Sequence, residues 1–234
     1  MKTALKIQWL GHSAFRITTP ADKHILIDPF LKGNPATPDE FKEQNEVNFI
    51  LLTHGHEDHV GDTVEIANRT GATVVGNIEL VDLLVDKHGL NGDQTYDPNK
   101  GGTVRFDEFS VTLVSANHSS SYQGDYAGDP GGLILNFKDD LTVYHMGDTN
   151  IFADLELYHK LYQPDVALVP IGDHYTMGPK EAAWAVEMVK PKIAIPIHYG
   201  TFPPLAGDPN DFKQFVADRC DTEVLIADPG EQFL

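Results

Sequence analysis

A chain of 234 residues with 41% apolar and 22% charged side chains can bury a full core without disulfides, and no low-complexity stretch argues for disorder. Its 17 Lys plus Arg against 35 Asp plus Glu give a formal charge of −18, which repels nucleic acid at long range with no basic cluster to offset it. The single cysteine, Cys220, excludes an intrachain disulfide and reads as a buried or inert thiol.

The opening MKTALKIQWL reaches Gly11 and His12 before the apolar centre of a signal peptide could form, and no apolar run approaches a membrane span. The expected location is therefore cytoplasmic, with no membrane partner. Short runs at 5–10, 14–18 and 25–27 read as strands joined by tight turns, and 49–53 as a buried strand ending at His54. A helical pattern follows at 60–68, then a strand at 73–75, a helix at 78–87 and a turn-rich connection over 93–102. Strands return at 103–106, 110–115, 132–137 and 141–145, with a long Gly- and Asp-rich loop over 119–131. The last third alternates: helix 152–162, strand 166–170, helix 179–190, strand 193–197, a helix starting near Pro209 and a strand at 223–226.

The strands run consecutively in each half, which argues against a simple doubly wound sheet. Two β-rich halves packed face to face with helices outside fit better. Neither a linker nor a fixed-period repeat divides the chain, so 1–234 reads as one domain.

The segment Thr53-His54-Gly55-His56-Glu57-Asp58-His59 puts three imidazoles and two carboxylates on one loop after an apolar strand. His54 and His56, two apart, would share one side of an extended backbone and could bind one ion, with Asp58 and His59 past a bend facing a second. Three further donors each follow an apolar strand: His118, Asp148 in HMGDT and His198 in PIHYG. A solvated His-rich loop is the plain alternative for the first cluster, but it leaves the other three unexplained.

This order, H-x-H-x-D-H and then a lone His, a lone Asp and a last His, resembles the metallo-β-lactamase superfamily over nearly the whole chain. The resemblance implies a four-layered αβ/βα sandwich with a dinuclear site at one edge of the two sheets. It implies that His54, His56 and His118 hold a first metal, Asp58, His59 and His198 a second, and that Asp148 bridges them. The runs WLGHSAFRI, IDPF, GDHYTMGP and PIHYGTF are similar to small metal-dependent hydrolases related to ascorbate-6-phosphate lactonase. Absence of a second-metal cysteine makes the antibiotic-degrading branch a poor match, and the acidic chain offers no nucleic-acid-binding region.

The expected chemistry is hydrolysis of an ester, lactone or phosphodiester bond in a small molecule by a bridging hydroxide, formed from water whose pKa two divalent ions lower. Nitrogen and carboxylate donors suit Zn²⁺ first, and Mn²⁺ or Fe²⁺ also. Asp58 would both bind metal and orient the nucleophile or accept its proton. Alternatives are a phosphodiesterase or nuclease on short nucleotides and a metal-binding protein without turnover. The lactonase resemblance also implies a homo-oligomer.

Beyond the donors, His12 reads either as a structural turn residue or as a catalytic support, and Asp28 either as a turn-initiating Asx before Pro29 or as an anchor for a ligand histidine. His174, on a glycine-flanked loop, reads as a substrate contact or charge stabiliser, with a structural role equally open. His24, His88, His145 and His159 read as structural, and Trp9, Trp184 and the phenylalanines as core.

Overall fold

The computed structural model describes residues 3–233. The N-terminal half forms a six-stranded sheet in sequence order, β1 (Lys6–Gly11), β2 (Ala14–Thr18), β3 (His24–Ile27), β4 (Phe49–Leu51), β5 (Thr73–Val75) and β6 (Thr95–Tyr96). The first three strands pair antiparallel and the rest parallel. Helices α1 (Glu57–Val60) and α2 (Thr63–Thr70) form the crossover from β4 to β5, and α3 (Ile78–His88) the one from β5 to β6.

The second sheet has seven strands. In chain order they are β7 (Thr103–Arg105), β8 (Phe109–Ser115), then, after a small hairpin of β9 (Ser121–Tyr122) and β10 (Asp125–Tyr126), β11 (Gly131–Phe137), β12 (Thr142–His145), β13 (Val166–Pro170), β14 (Ile193–Ile197) and β15 (Glu223–Val224). The spatial order is β15-β14-β13-β12-β11-β8-β7, parallel from β15 to β12 and antiparallel beyond. Helices α4 (Leu155–Tyr162), α5 (Pro179–Val189) and α6 (Pro209–Ala217) belong to this half.

Strand periodicity of two decides the layers. Ile25, Ile27 and Leu51 point into the same core as Leu133, Leu135, Val143 and Leu168, so the two sheets face each other. Their alternates go the other way. Leu26, Ile50 and Leu52 pack on Ile66, Leu80 and Leu84 of the first helix set, and Ile134, Tyr144 and Ala167 pack on Ala182, Val186 and Phe212 of the second. Strands buried on both faces read as unbroken apolar runs, which is why the sequence pattern announced them. The result is the four-layered αβ/βα sandwich.

Several details depart from the sequence reading. The expected helix over 60–68 is two pieces, because Gly61 adopts φ 43°, ψ −121° and approaches the backbone of Pro29 and Phe30 where a Cβ would lie 2.5 Å away. Its neighbour Asp62 binds the amides of Leu31 and Lys32 (2.9 Å each) and locks that loop to the helix junction. The 93–102 connection contains a 3-10 turn and β6, and the long loop over 119–131 contains the hairpin. Trp184 is not core: it is 47% exposed on α5, with the Arg219 guanidinium 3.3 Å above its ring. Helical spacing placed it on the wrong side, one position beyond the inward Ala182 and Ala183. Phe202 is likewise 36% exposed, and Cys220 is half-buried against the outer core of the second half.

Candidate metal centre

All the parallel strands run toward one edge, and the chemistry-bearing residues lie just past their C-terminal ends, where backbone leaves the sheet and side chains become free to converge. Asp28 follows β3, His54 follows β4, His118 follows β8, Asp148 follows β12 and His198 follows β14. His12 occupies the β1–β2 turn at the same edge. Three of these residues hold left-handed backbone, His12 at φ 56°, Asp28 at 44° and His198 at 57°, a conformation that non-glycine residues adopt at some cost and that clusters at functional sites. Gly147 serves the same purpose before Asp148: it has φ 63°, and a Cβ there would sit 2.6 Å from the Gly131 carbonyl.

Donor atoms gather in three groups, each within 4.8 Å: His54, His56 and His118; His54, His59 and Asp148; and His12, Asp58, His59 and His198. Asp148 joins them. Its Oδ1 lies 3.3 Å from His59 Nε2, and its Oδ2 lies 3.0 Å from His198 Nε2 and 3.5 Å from His118 Nε2. Asp58 Oδ2 is 3.8 Å from His198 Nε2 on the other side.

Hydrogen bonds from behind fix which nitrogen faces inward. Asp28, fully buried, accepts from His59 Nδ1 at 2.7 Å, from the Thr53 amide at 2.9 Å and from the Thr53 hydroxyl at 2.5 Å. With its hydroxyl proton so committed, Thr53 Oγ1 accepts from His54 Nδ1 at 3.0 Å. Both His54 and His59 therefore turn Nε2 toward the group, and His54 Nε2 stands 3.0 Å from His56 Nδ1. With its hydrogen on Nε2, 3.3 Å from the Ser119 hydroxyl, His56 would turn its Nδ1 lone pair toward that of His54, as a shared cation requires.

Electrostatics follow from burial. Desolvation is the largest cause that pushes the imidazoles of His54, His56 and His118 below their ordinary value, keeping them neutral; His59 adds to it at His54 and His56, while at His118 Asp148 opposes it and is outweighed. His12 is lowered to about 4 by burial and by His198, although its bond to Asp58 opposes this. Burial would also lower His59, but Asp148 and Asp28 on either side outweigh it and raise the ring. For Asp148 burial acts upward and is overcome by His198 and His59, which hold the carboxyl well below the usual range. Asp58 behaves the same way, burial opposed by the His12 hydrogen bond and His59, with a net lowering.

Polar atoms here lack partners. Among the described residues His59 Nε2, Asp148 Oδ1 and both ring nitrogens of His198 are buried with no hydrogen bond, although buried polar groups are almost always satisfied. Leaving each unpaired costs on the order of 1–3 kcal/mol. A divalent cation would take up His59 Nε2, Asp148 Oδ1 and one ring nitrogen of His198; ionised carboxylates and the neutral His54, His56 and His118 are the donor states it needs, and it would displace the proton that the flanking carboxylates favour on His59. The residues fit a metal.

The structure thus brings together His54, His56, Asp58, His59, His118, Asp148 and His198. His12 is fully buried, with Nε2 donating to Asp58 Oδ2 at 3.0 Å and Nδ1 2.9 Å from the Thr201 hydroxyl, so it acts on Asp58. Asp28 anchors His59. His174 stands outside the donor groups, exposed on a loop closed by the Asp173 amide on the Met177 carbonyl (3.0 Å), its ring against Tyr175. Thr53, Thr201 and His145 are the supports that the sequence did not single out for this role. His145, read as structural, donates from Nε2 to the Ser13 carbonyl (2.9 Å) and accepts the Gly147 amide (3.1 Å), holding the turn that delivers Asp148. Its place two residues before that glycine was the available signal.

A family model described as a beta-lactamase superfamily domain matches residues 6–198. A UPF0173 metal-dependent hydrolase of Koribacter versatilis is 46% identical over 231 residues, 97% of either chain. One of Thermococcus onnurineus is 48% identical over 229 residues, 97% of this chain and 98% of that one. Among solved structures, Igni18, a metallo hydrolase from Ignicoccus hospitalis, is 38% identical with a TM-score of 0.85, covering 98% of this chain and 97% of its own. An isothiocyanate hydrolase from Delia radicum gut bacteria shares the fold, with a TM-score of 0.79 at 20% identity and 98% coverage of each chain.

Proposed function

This chain belongs to the beta-lactamase superfamily, and we propose that it is a metal-dependent hydrolase that uses two divalent ions to cleave an ester, lactone or phosphodiester bond of a small molecule. The observation that carries the reading is the approach of Asp148 to His59, His118 and His198, which links the three donor groups, with buried nitrogens and a carboxylate oxygen that have no hydrogen-bond partner. His54, His56 and His118 would hold one ion, Asp58, His59 and His198 the other, and Asp148 both. Zinc is the first expectation, with manganese or iron compatible with the same donors.

Two such ions would lower the pKa of water towards about 7 and polarise the oxygen of the scissile group. The protein's own part is positioning and proton handling. Asp28 and Thr53 set the His54 and His59 tautomers from behind. Asp58, whose side chain is 32% exposed where that of Asp148 is 2%, is the carboxylate of the group that reaches incoming solvent, and it orients the attacking water or accepts its proton. The His12 N–H holds the other face of that carboxylate in place. His174 contacts substrate from the loop after β13, which pairs with the 199–205 segment through the Asp173–Leu205 bridge.

The test is a panel of a chromogenic ester, a lactone and bis(4-nitrophenyl) phosphate, run on metal-stripped protein and after addition of zinc or manganese. Hydrolysis of one class that appears with metal and vanishes with chelator supports the reading. A rate indifferent to metal, or none on any class with metal bound, contradicts it.

A further inference from the structure

Lys and Arg are the strongest side-chain partners for an anion, and the loops around this centre offer neither in a free state. The segments 11–13, 53–62, 117–130, 147–154, 171–178 and 198–208 contain no Lys or Arg. In the remaining one, 28–37, the only basic residue is Lys32, whose ammonium is 2.5 Å from Glu65 and 3.2 Å from Glu43. Lys87 and Lys100 reach the 119–131 loop from outside, and each ends on an aspartate there at 2.8 Å, Asp125 and Asp129. The chain's charge of −18 repels anions further.

Two aromatic rings stand beside the Asp58 end of the centre instead. Phe30 and Phe202 flank His12 with ring centroids 6.0 and 5.9 Å away, and lie 6.4 Å from each other. Neither is loose. Phe30 sits on the loop that Asp62 and Gly61 lock in place, and Phe202 on a turn closed by the Leu205 amide to the Phe202 carbonyl and the Gly200 amide to the Leu205 carbonyl, both 2.9 Å. A phenylalanine 36% exposed on a rigid turn beside buried polar residues is an apolar surface held ready for a ligand.

Resting on the hydrolase reading above, we propose that the part of the substrate that does not react is uncharged and apolar and lies against Phe30 and Phe202. This favours a neutral carboxylic ester or lactone and disfavours molecules carrying a second phosphate or carboxylate. Cations at the centre can bind the reacting oxygen, but a separate anionic group beside Phe30 and Phe202 would lie against phenyl rings with no free Lys or Arg in reach, partly desolvated.

The test separates tail recognition from turnover. Zinc-loaded protein is titrated calorimetrically with two hydroxamates that share the chelating head, one with a hexyl tail and one whose tail ends in a carboxylate. The hexyl probe should bind about tenfold more tightly or better, a discrimination of the size that apolar contacts supply. Phe202→Ala should bring the two close to parity and Phe202→Lys should reverse them, with zinc content unchanged in both. Equal or reversed affinities in the wild type, or a preference that survives Phe202→Ala, would overturn the substrate class while leaving the hydrolase reading intact. Protein that takes up no zinc would overturn both.

Discussion

Replacing Asp28 by Asn tests whether the centre depends on a carboxylate that touches no substrate. Asn is nearly isosteric and tolerates the φ of 44°, so the backbone should hold. Asp28 accepts three hydrogen bonds, from the Thr53 amide, the Thr53 hydroxyl and His59 Nδ1. An amide at this position keeps the first as an acceptor but turns its NH₂ toward the other two. The Thr53 hydroxyl can reverse; His59 can accept only by moving its proton to Nε2, the nitrogen that faces Asp148 at 3.3 Å. Losing such a supporting carboxylate weakens metal binding roughly 10–100-fold, about 1.4–2.8 kcal/mol. Chelator competition at constant pH, read for each of two binding steps, should show this loss in the step assigned to His59 and little in the other. Two steps of wild-type affinity would refute the argument that Asp28 sets the tautomer.

In metal-free protein, His12 is lowered to about 4 while the unfolded chain titrates near 6.5, so acid protonates the unfolded state first and stability falls as pH drops from 6.5 to about 4. The span corresponds to roughly 3 kcal/mol, and urea unfolding of wild type against His12→Asn should differ by that order across the window. His59, raised by its carboxylates once burial is overcome, contributes in the opposite sense, its stabilisation present below 6.5 and lost as pH rises, and its charge is itself one of the causes that lower His12. Gly147→Ala, at φ 63° with its Cβ 2.6 Å from the Gly131 carbonyl, should cost about 2 kcal/mol and lower Tm by roughly 4–8 °C in calorimetry. Trp184→Ala should cost less than about 1 kcal/mol, since a half-exposed indole loses only its stack with Arg219; a loss of several kcal/mol would restore Trp184 to the core.

The layers were legible because strands buried on both faces must be continuously apolar, and β13 and β14 begin and end where the sequence said. The donors were legible because each follows such a strand, so locating the strand located the edge. The supports were less visible. Thr53 and Thr201 act through a hydroxyl whose use depends on where a distant carboxylate or imidazole arrives, and no local pattern marks that. The break at Gly61 was hidden for the same reason, since it answers to the backbone of Pro29 and Phe30, far away in sequence. Trp184 misled because an aromatic residue carries a strong prior for burial that helical position overrode.

On the proposed reading, one edge of the sandwich would hold two metal ions through seven side chains, with Asp148 shared between them. Plasma mass spectrometry of purified protein, wild type beside Asp148→Ala, tests it most directly. Close to two ions per chain in the wild type and no more than one in the variant, with the variant still folded, is the predicted result; one ion or none in the wild type, or two retained without Asp148, would contradict it.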